Sequence, residues 1–393
     1  MSAISAAPPL RATLPIPQDR DTAPERRRAA IALVGASGYT GQEFARLAIA
    51  HPGLDLAVLC SREHAGRPAN EVLSGLDPRL SPLPEVVDPA GLEGLLAEGA
   101  FDTLVVCLPH DAWRTMVHEC PALGRVSGSP AAQNGGAAPA GAPGALSRPD
   151  PAPGGLARLI DLSSDFRDGS EGYVYGLPEA FRAEIPAARR IANPGCYPTA
   201  ATIALLPALE GGWLAGPVMV GALSGVSGAG RSPSLRTSFV ELDGGAALYR
   251  AGTEHGHVAE MERNFERIAG KAGLDVGFAP QLAPMARGIL LTATAPLAEP
   301  LTPADAHEAY LERFADEPFV RVLEPGQWPE TRSVKTSNRC DVAVTTIHHG
   351  RTLLAAAALD NLVKGAAGQA VQNLNLMLGW PENWGLPVHG TPW

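Results

Sequence analysis

A cysteine directly follows Pro-Gly in Asn193–Ala200, NPGCYPTA, and the chain then turns apolar as TAATIALLPAL. Cys196 therefore falls near the first turn of a predicted helix. Free backbone N–H groups at a helix start stabilise a thiolate and, later, an oxyanion, which is chemistry a buried core cysteine does not need. A thiolate nucleophile needs a proton acceptor. Of the ten histidines, His255 and His257 stand out in TEHGHVAEM. In a strand-like segment the two would share a face, and a loop would also let them converge. Acid–base or substrate-binding work is the preferred reading; a metal site built on HxH and Glu260 is the alternative. Arg167 after DLSSDF, Arg231 after SGVSGAG and Arg287 before GIL have loop settings suited to anions. The alternative for each is a salt bridge at a domain interface. The SGVSGAG stretch, with Gly228, is small and flexible enough for its N–H groups to wrap a phosphate or oxyanion.

A second constellation lies near the start. GASGYTG carries Gly35, Gly38 and Gly41 between a predicted strand, AAIALV, and a predicted helix. Glycines allow a tight turn and close approach to a pyrophosphate, and the helix N-terminus supplies N–H donors. Ser37, Tyr39 and Thr40 belong to the same loop. The second strand ends in Ser61-Arg62 rather than an acidic residue, which favours a ribose 2′-phosphate and hence NADP(H) over NAD.

These groups need two scaffolds. Strand–turn–helix at residues 29–50, then LDLAVLC, FDTLVVCLPHDA and LARLIDLSSDF, predict a Rossmann-type parallel sheet with helices on its faces. From Ile191 the character becomes β-rich, with one predicted helix at Pro303–Ala315. The expected organisation is α/β, with a parallel sheet over 29–190 and an α+β domain with an extended mixed sheet over 191–364. A C-terminal helix and tail over 365–393 are expected to return to the first domain. Residues 1–28, rich in Pro, Ala and Arg, are expected to form a disordered leader. The Gly/Pro/Ala/Ser stretch 124–155 is expected to be a mobile surface insertion.

Composition narrows the function. The 393 residues carry a net charge of −10, with 45% hydrophobic and 18% charged residues. That charge argues against nucleic acid or an anionic membrane as partner. Apolar runs fall well short of the roughly 20 residues that span a bilayer. Five scattered cysteines without CxxC spacing fit neither a disulfide framework nor a zinc site, so a cytoplasmic location is expected.

With these motifs assembled, the chain resembles the N-acetyl-γ-glutamyl-phosphate reductases of the semialdehyde dehydrogenase superfamily. The resemblance rests on VGASGYTGQE, DLSSDFR, YGLPE, ANPGCYPTA, SGVSGAGR, HGHVAEM, RGILLT and LDNLVKGAAGQAVQNLN, which occur in the family's order over nearly the whole chain. It implies that Cys196 forms an acyl-enzyme thioester, that His257 is the acid–base group and that His255 contacts substrate, although the reverse assignment of the two histidines stays open. It implies that Arg167 lies near the substrate; Arg231 and Glu260 are expected as further substrate-binding residues. Gln369 or Asn373 would approach the nicotinamide, with Gly365 to Gly368 letting their helix pack against the cofactor. An acyl-phosphate substrate, phosphate and a homodimer or homotetramer are implied as well. A sibling acyl-phosphate reductase, or a non-catalytic NADP-binding protein, is the alternative. The chain departs from the family in the short DGSEGYV between DFR and YGLPE, and in Gly256, where a basic residue is usual.

Overall fold

The computed structural model describes residues 28–75, 83–126, 155–231 and 234–391. The leader expected at 1–28 and the insertion expected at 124–155 lie almost wholly outside these residues. Val126 and Leu156, at the edges of the latter, form a parallel bridge.

Seven strands form the first sheet: β1 (Ala29–Val34), β2 (Leu54–Cys60), β3 (Val86–Val87), β4 (Thr103–Val106), β5 (Arg158–Asp161), β6 (Val174–Tyr175) and β7 (Arg190–Ala192). Their order is β3-β2-β1-β4-β5-β7-β6, and every pairing is parallel. Strands covered on both faces read as apolar runs rather than alternating ones, and AAIALV and TLVV do so. Register does the positioning. Val34 lies opposite Cys60, so the glycine loop after β1 and Ser61-Arg62 after β2 emerge side by side. Ala192 lies opposite both Asp161 and Tyr175. The loops DLSSDFR, YGLPE and NPGC therefore leave the sheet at the same end. Because β7 belongs to this sheet, the chain crosses to the second layer at Asn193–Cys196, just beyond the boundary expected at 190.

The second sheet is mixed: β8 (Val218–Ser224), β9 (Ala247–Leu248), β10 (Val276–Leu282), β11 (Ile289–Pro296), β12 (Val320–Val322), β13 (Cys340–Ile347) and β14 (Thr352–Leu359), in the order β12-β13-β14-β11-β8-β10-β9. β10 and β11 alternate between buried and more exposed positions, as strands with one covered face do. The covered face takes helix α2 (Cys196–Glu210), which follows α1 (Tyr39–Ala50) in the chain. Helix α2 is apolar all round and buried from Tyr197 to Leu209, so it is a core element rather than an amphipathic surface helix. Ile203, Leu205, Leu206 and Leu209 are at most 1% exposed; at about 1.5–3 kcal/mol each, they anchor the helix and with it the cysteine that begins it. The sheet's other face is open over β8 and β9, with Met219 and Leu248 exposed, whereas Ala343, Ala356 and Ala358 on β13 and β14 are buried.

Helix α3 (His257–Ala269) lies against α2. Helix α4 (Pro303–Arg313) is capped by the Thr302 hydroxyl, which accepts from the Asp305 N–H. The last helix, α5 (Gly368–Met377), returns to the first sheet: Ala370, Val371, Leu374 and Met377 pack in one core cluster with Ile31, Leu33 and Phe44. It is preceded by a π-helical turn at Val363–Ala367. Among the described residues, no helix is long and apolar enough to cross a membrane.

Candidate active site

Cys196 is the first residue of α2, and Gly195 caps it without any side-chain cap. His257 is likewise the first residue of α3. Of the two readings of HGHVAEM, the strand does not hold; His255 lies in the loop that precedes the helix. Val258, Met261 and Phe265 are buried at the i, i+3, i+7 spacing of one helix face. A Cβ on Gly195 would lie 2.6 Å from His257 Nε2 and 2.8 Å from Arg167 Nη1, so only glycine fits between these groups. The structure thus brings Cys196, His257, Arg167 and Glu260 together, with His255 beside them. The imidazoles of His255 and His257 are 4.7 Å apart, and the His257 backbone N–H donates to His255 Nδ1 at 3.1 Å. Tyr197, Tyr249 and Phe278 enclose His255, and the Tyr197 and Tyr249 hydroxyls are 2.8 Å apart.

Glu260 is the hub. Its Oε1 accepts from Gly195 N–H at 2.8 Å and from the Tyr175 hydroxyl at 2.7 Å, and its Oε2 accepts from Arg167 Nη1 at 3.1 Å. Arg167 also donates to the carbonyls of Asn193 and Leu162. Both side chains, expected at the substrate, spend their hydrogen bonds holding the loop that carries Cys196. Burial opposes the Glu260 charge, but the Arg167 guanidinium, with the Gly195 N–H and the Tyr175 hydroxyl, holds its carboxyl below the usual range.

The electrostatics correct a second expectation. Burial pushes the Cys196 thiol up to about 11, outweighing the lowering by Arg167 and the Tyr197 N–H at the helix start. Burial also pushes His257 down to about 3, against the pull of Glu260. In the ligand-free site, burial thus favours the neutral thiol and the neutral imidazole. His257 Nδ1 is buried without a partner. Neither cluster of His, Cys, Asp and Glu close enough to share an ion, among the described residues, includes His255 or His257.

The cofactor residues gather at the carboxyl ends of β1 and β2. Gly35 has φ +80°, and a Cβ there would strike the Cys107 carbonyl. A Cβ on Gly41 would strike the Gly35 carbonyl. Gly38 caps α1 with no side-chain hydrogen bond, so the N–H groups of the first turn, at Tyr39 and Thr40, stay available to an anion. Ser37 Oγ lies 3.2 Å from Ser61 Oγ, and Arg62 is exposed beside it. These features fit a dinucleotide with a 2′-phosphate.

Arg231 is not with Cys196. Its Nη1 donates to the Ser37 carbonyl at 2.9 Å, so the SGVSGAGR loop reaches across to the glycine loop. Gly228 lies exposed in that loop; a Cβ there would sit 3.6 Å from Ser224 Oγ. Arg287 takes the salt-bridge alternative, 2.6 Å from Glu43 on α1 and 3.6 Å from Asp360. Gln369 and Asn373 are fully buried. Gln369 Oε1 accepts from Lys364, and Asn373 Nδ2 donates to the Gly176 carbonyl and to Asn193 Oδ1. Neither presents surface to a cofactor. Gly365 instead presses on the cysteine: a Cβ there would lie 2.7 Å from Cys196 Cβ.

Arg250 is a further candidate that the sequence reading did not single out. It is exposed, has φ +43°, a strained value for a long side chain, and its charge acts on both His255 and Tyr249. Its signal was the short YRAGTEHGH spacing.

Two sheets joined through a cysteine-bearing helix, with a glycine loop at the topological switch point, define the semialdehyde dehydrogenase class. Residues 30–126 match the family model described as semialdehyde dehydrogenase, NAD binding domain, and residues 196–361 the one described as semialdehyde dehydrogenase, dimerisation domain. Aspartate semialdehyde dehydrogenase II from Vibrio cholerae, complexed with ASA, shares the fold at a TM-score of 0.65 and 16% identity, covering 90% of this chain and 99% of that one. The enzyme from Candida albicans, solved with NADP, does so at a TM-score of 0.61 and 13% identity, covering 89% and 98%. The chain is 40% identical to the N-acetyl-γ-glutamyl-phosphate reductase of Acidothermus cellulolyticus, covering 92% of this chain and 99% of the relative. It is 39% identical to that of Thermus thermophilus, over 91% and 99%. The chain belongs to the N-acetyl-γ-glutamyl-phosphate reductase family.

Proposed function

We propose that this chain reduces N-acetyl-γ-glutamyl phosphate to N-acetylglutamate 5-semialdehyde, with NADPH as hydride donor and Cys196 as covalent nucleophile, in arginine biosynthesis. The observation that carries the reading is the convergence of Cys196, His257, Glu260 and Arg167 where the two sheets meet, in a chain that spans 99% of relatives bearing that name.

The buried neutral pair sets the order of events. His257 accepts the thiol proton as Cys196 Sγ attacks the acyl carbon, so charge develops only along the reaction. The S–C bond forms, the C–O bond to phosphate breaks, and His257 passes the proton to the departing phosphate. The backbone N–H groups of Cys196 and Tyr197, at the uncapped start of α2, face the developing oxyanion. Gly195 N–H cannot join them, because Glu260 holds it. NADPH, when bound, supplies the hydride that reduces the thioester. The tetrahedral species left on Cys196 collapses to the aldehyde, and a solvent proton restores the thiol.

Gly35, Ser37, Gly38, Tyr39, Thr40 and Gly41 would hold the pyrophosphate, and Ser61 and Arg62 the 2′-phosphate. Arg231 and Gly228 would close the loop of the second domain over it. Arg250, exposed beside His255, is placed to meet a substrate anion. The open face of the second sheet, with Met219 and Leu248, supports a homodimer or homotetramer. Five free cysteines support a cytoplasmic location.

The test is phosphate-dependent reduction of NADP⁺ with N-acetylglutamate semialdehyde, run beside aspartate semialdehyde. Turnover of the first at least about tenfold faster, a difference of roughly 1.4 kcal/mol, supports the reading. Preference for aspartate semialdehyde overturns it.

A further inference from the structure

Two charged residues of the motifs remain without a task in this chemistry: the glutamate of YGLPE and the lysine of VKGAAG. Lys364 and Glu179, from these motifs, are 185 residues apart and both wholly buried. Lys364 Nζ donates to Glu179 Oε1 at 2.7 Å, Gln369 Oε1 at 2.6 Å and Gln372 Oε1 at 2.8 Å, so all three of its N–H groups are used. The network runs outward: Gln372 Nε2 donates to Glu382 at 2.7 Å, and Arg182 bridges Glu382 and Glu317 at 3.1 and 2.5 Å. The three carboxylates Glu179, Glu317 and Glu382 thus face cations already in the fold.

A buried ion pair is a poor stabiliser, because desolvation offsets its attraction, and an apolar pair of similar volume is often as stable. What such a pair does well is fix geometry, and here the geometry concerns the cysteine. Lys364 sits in the π-helical turn, where Gly365 N–H donates to the Asp360 carbonyl and Ala367 N–H to the Leu362 carbonyl. A π turn is strained relative to an α-helix and persists where neighbours require it. The next residue, Gly365, packs on Cys196. Glu179 follows Tyr175, whose hydroxyl holds Glu260, which in turn holds Gly195 N–H. One ion pair therefore joins the turn behind the cysteine to the loop in front of it.

We propose that Lys364 and Glu179 are positioning residues for the reaction: their buried ion pair holds the π turn and the YGLPE loop in the register that places Cys196. This rests on Cys196 being the nucleophile. Neither residue touches substrate or cofactor; they act through Gly365 and Glu260. The pair is tied to Cys196 from both sides, and it reaches the glycine loop only indirectly, through the core that Val363 and Ala367 share with Phe44 and Ala45 of α1. Loss of the pair therefore acts on the cysteine more than on cofactor affinity.

The double variant Lys364→Met/Glu179→Leu removes both charges and leaves neither unpaired. The readouts are kcat, the dissociation constant for NADPH, and the rate at which iodoacetamide alkylates Cys196, mapped by peptide mass spectrometry. The alkylation rate reports on the thiol whatever the natural substrate is, so a wrong substrate assignment and a wrong positioning role give different results. The expected result is kcat lower by at least about tenfold, as a displacement of part of an ångström produces. The alkylation rate should change about fivefold or more, with NADPH affinity within about threefold of wild type. Values of kcat and alkylation within about twofold of wild type, with only the melting temperature moved, would overturn the proposal. So would an equal loss of NADPH binding, which would mean that the pair holds the fold at large. If the double variant does not fold, Gln372→Met, which removes one acceptor of Lys364 together with the Gln372 bonds to Asn338 and Glu382 and keeps both charges, is measured in the same three ways, and the same results support or overturn the positioning role.

Discussion

Gly365→Ala puts one methyl group against the nucleophile. The new carbon would lie 2.7 Å from Cys196 Cβ, 3.2 Å from its Cα and 3.3 Å from Leu359 Cδ1. Carbon atoms rest about 3.5–4.0 Å apart, so the contact is short by roughly 1 Å. Neither wall can retreat easily: Leu359 is fully buried in β14, and Cys196 begins a helix buried to Leu209. Two effects then oppose each other. Alanine for glycine in a helix gains about 1 kcal/mol of propensity, while overpacking costs about 1–3 kcal/mol. The structure places the larger weight on overpacking, so the melting temperature should fall. Displacing the thiol by about 1 Å should lower kcat about 10²-fold, equal to roughly 2.7 kcal/mol of barrier. Steady-state kinetics at saturating substrate, beside thermal unfolding, measures both. A variant with kcat within about threefold of wild type and a raised melting temperature would show that the turn yields and that Gly365 does not fix the cysteine.

Arg250→Ala should raise KM for the acyl phosphate about 30-fold, the loss of one charge-assisted hydrogen bond of about 2 kcal/mol, with NADPH affinity unchanged; steady-state kinetics and fluorescence titration check it. Arg62→Ala should reduce the preference for NADP⁺ over NAD⁺ by about 10- to 100-fold, read as the ratio of kcat/KM values. His51, buried under Trp380 and Trp384, is lowered by burial from 6.5 to about 4. Its neutral form is the folded one, so its stability contribution is full above pH 6.5 and is lost as the unfolded chain alone takes up the proton between pH 6.5 and about 4. His51→Gln should therefore flatten the loss of unfolding free energy over that range by about 3 kcal/mol, measured by denaturant titration at several pH values.

What the sequence made legible was local. The glycine loop, the cysteine at a helix start and the apolar C-terminal helix each occupy a few consecutive residues, and their meaning survives without knowledge of contacts. Strands of two or three residues, such as β3, β6 and β7, carry too little periodicity to be seen. Missing them hid the register that gathers three motifs beside Ala192. Side-chain roles failed for a related reason. Glu260 reads as a neighbour of the histidines, but its partners Tyr175 and Gly195 are 85 and 65 residues away. Gln369 and Asn373 lie on the helix the sequence singled out, yet that helix turns them inward to Lys364 and Gly176. The helical period of Val258, Met261 and Phe265 was present from HGHVAEM onward, but the two histidines at alternate positions drew the reading toward a strand or a loop. For the thiol, two effects oppose each other that the sequence shows unequally: the helix start lowers it, and burial, which the sequence does not reveal, raises it.

Everything proposed for the mechanism depends on Cys196 carrying the acyl group. Intact-protein mass spectrometry can see that group, after the enzyme is mixed with N-acetyl-γ-glutamyl phosphate in the absence of cofactor and then mapped by peptide. The expected result is one N-acetylglutamyl adduct on Cys196, released by hydroxylamine and absent in Cys196→Ser. An adduct on another residue, or phosphate release at the wild-type rate from Cys196→Ser, would contradict the covalent route.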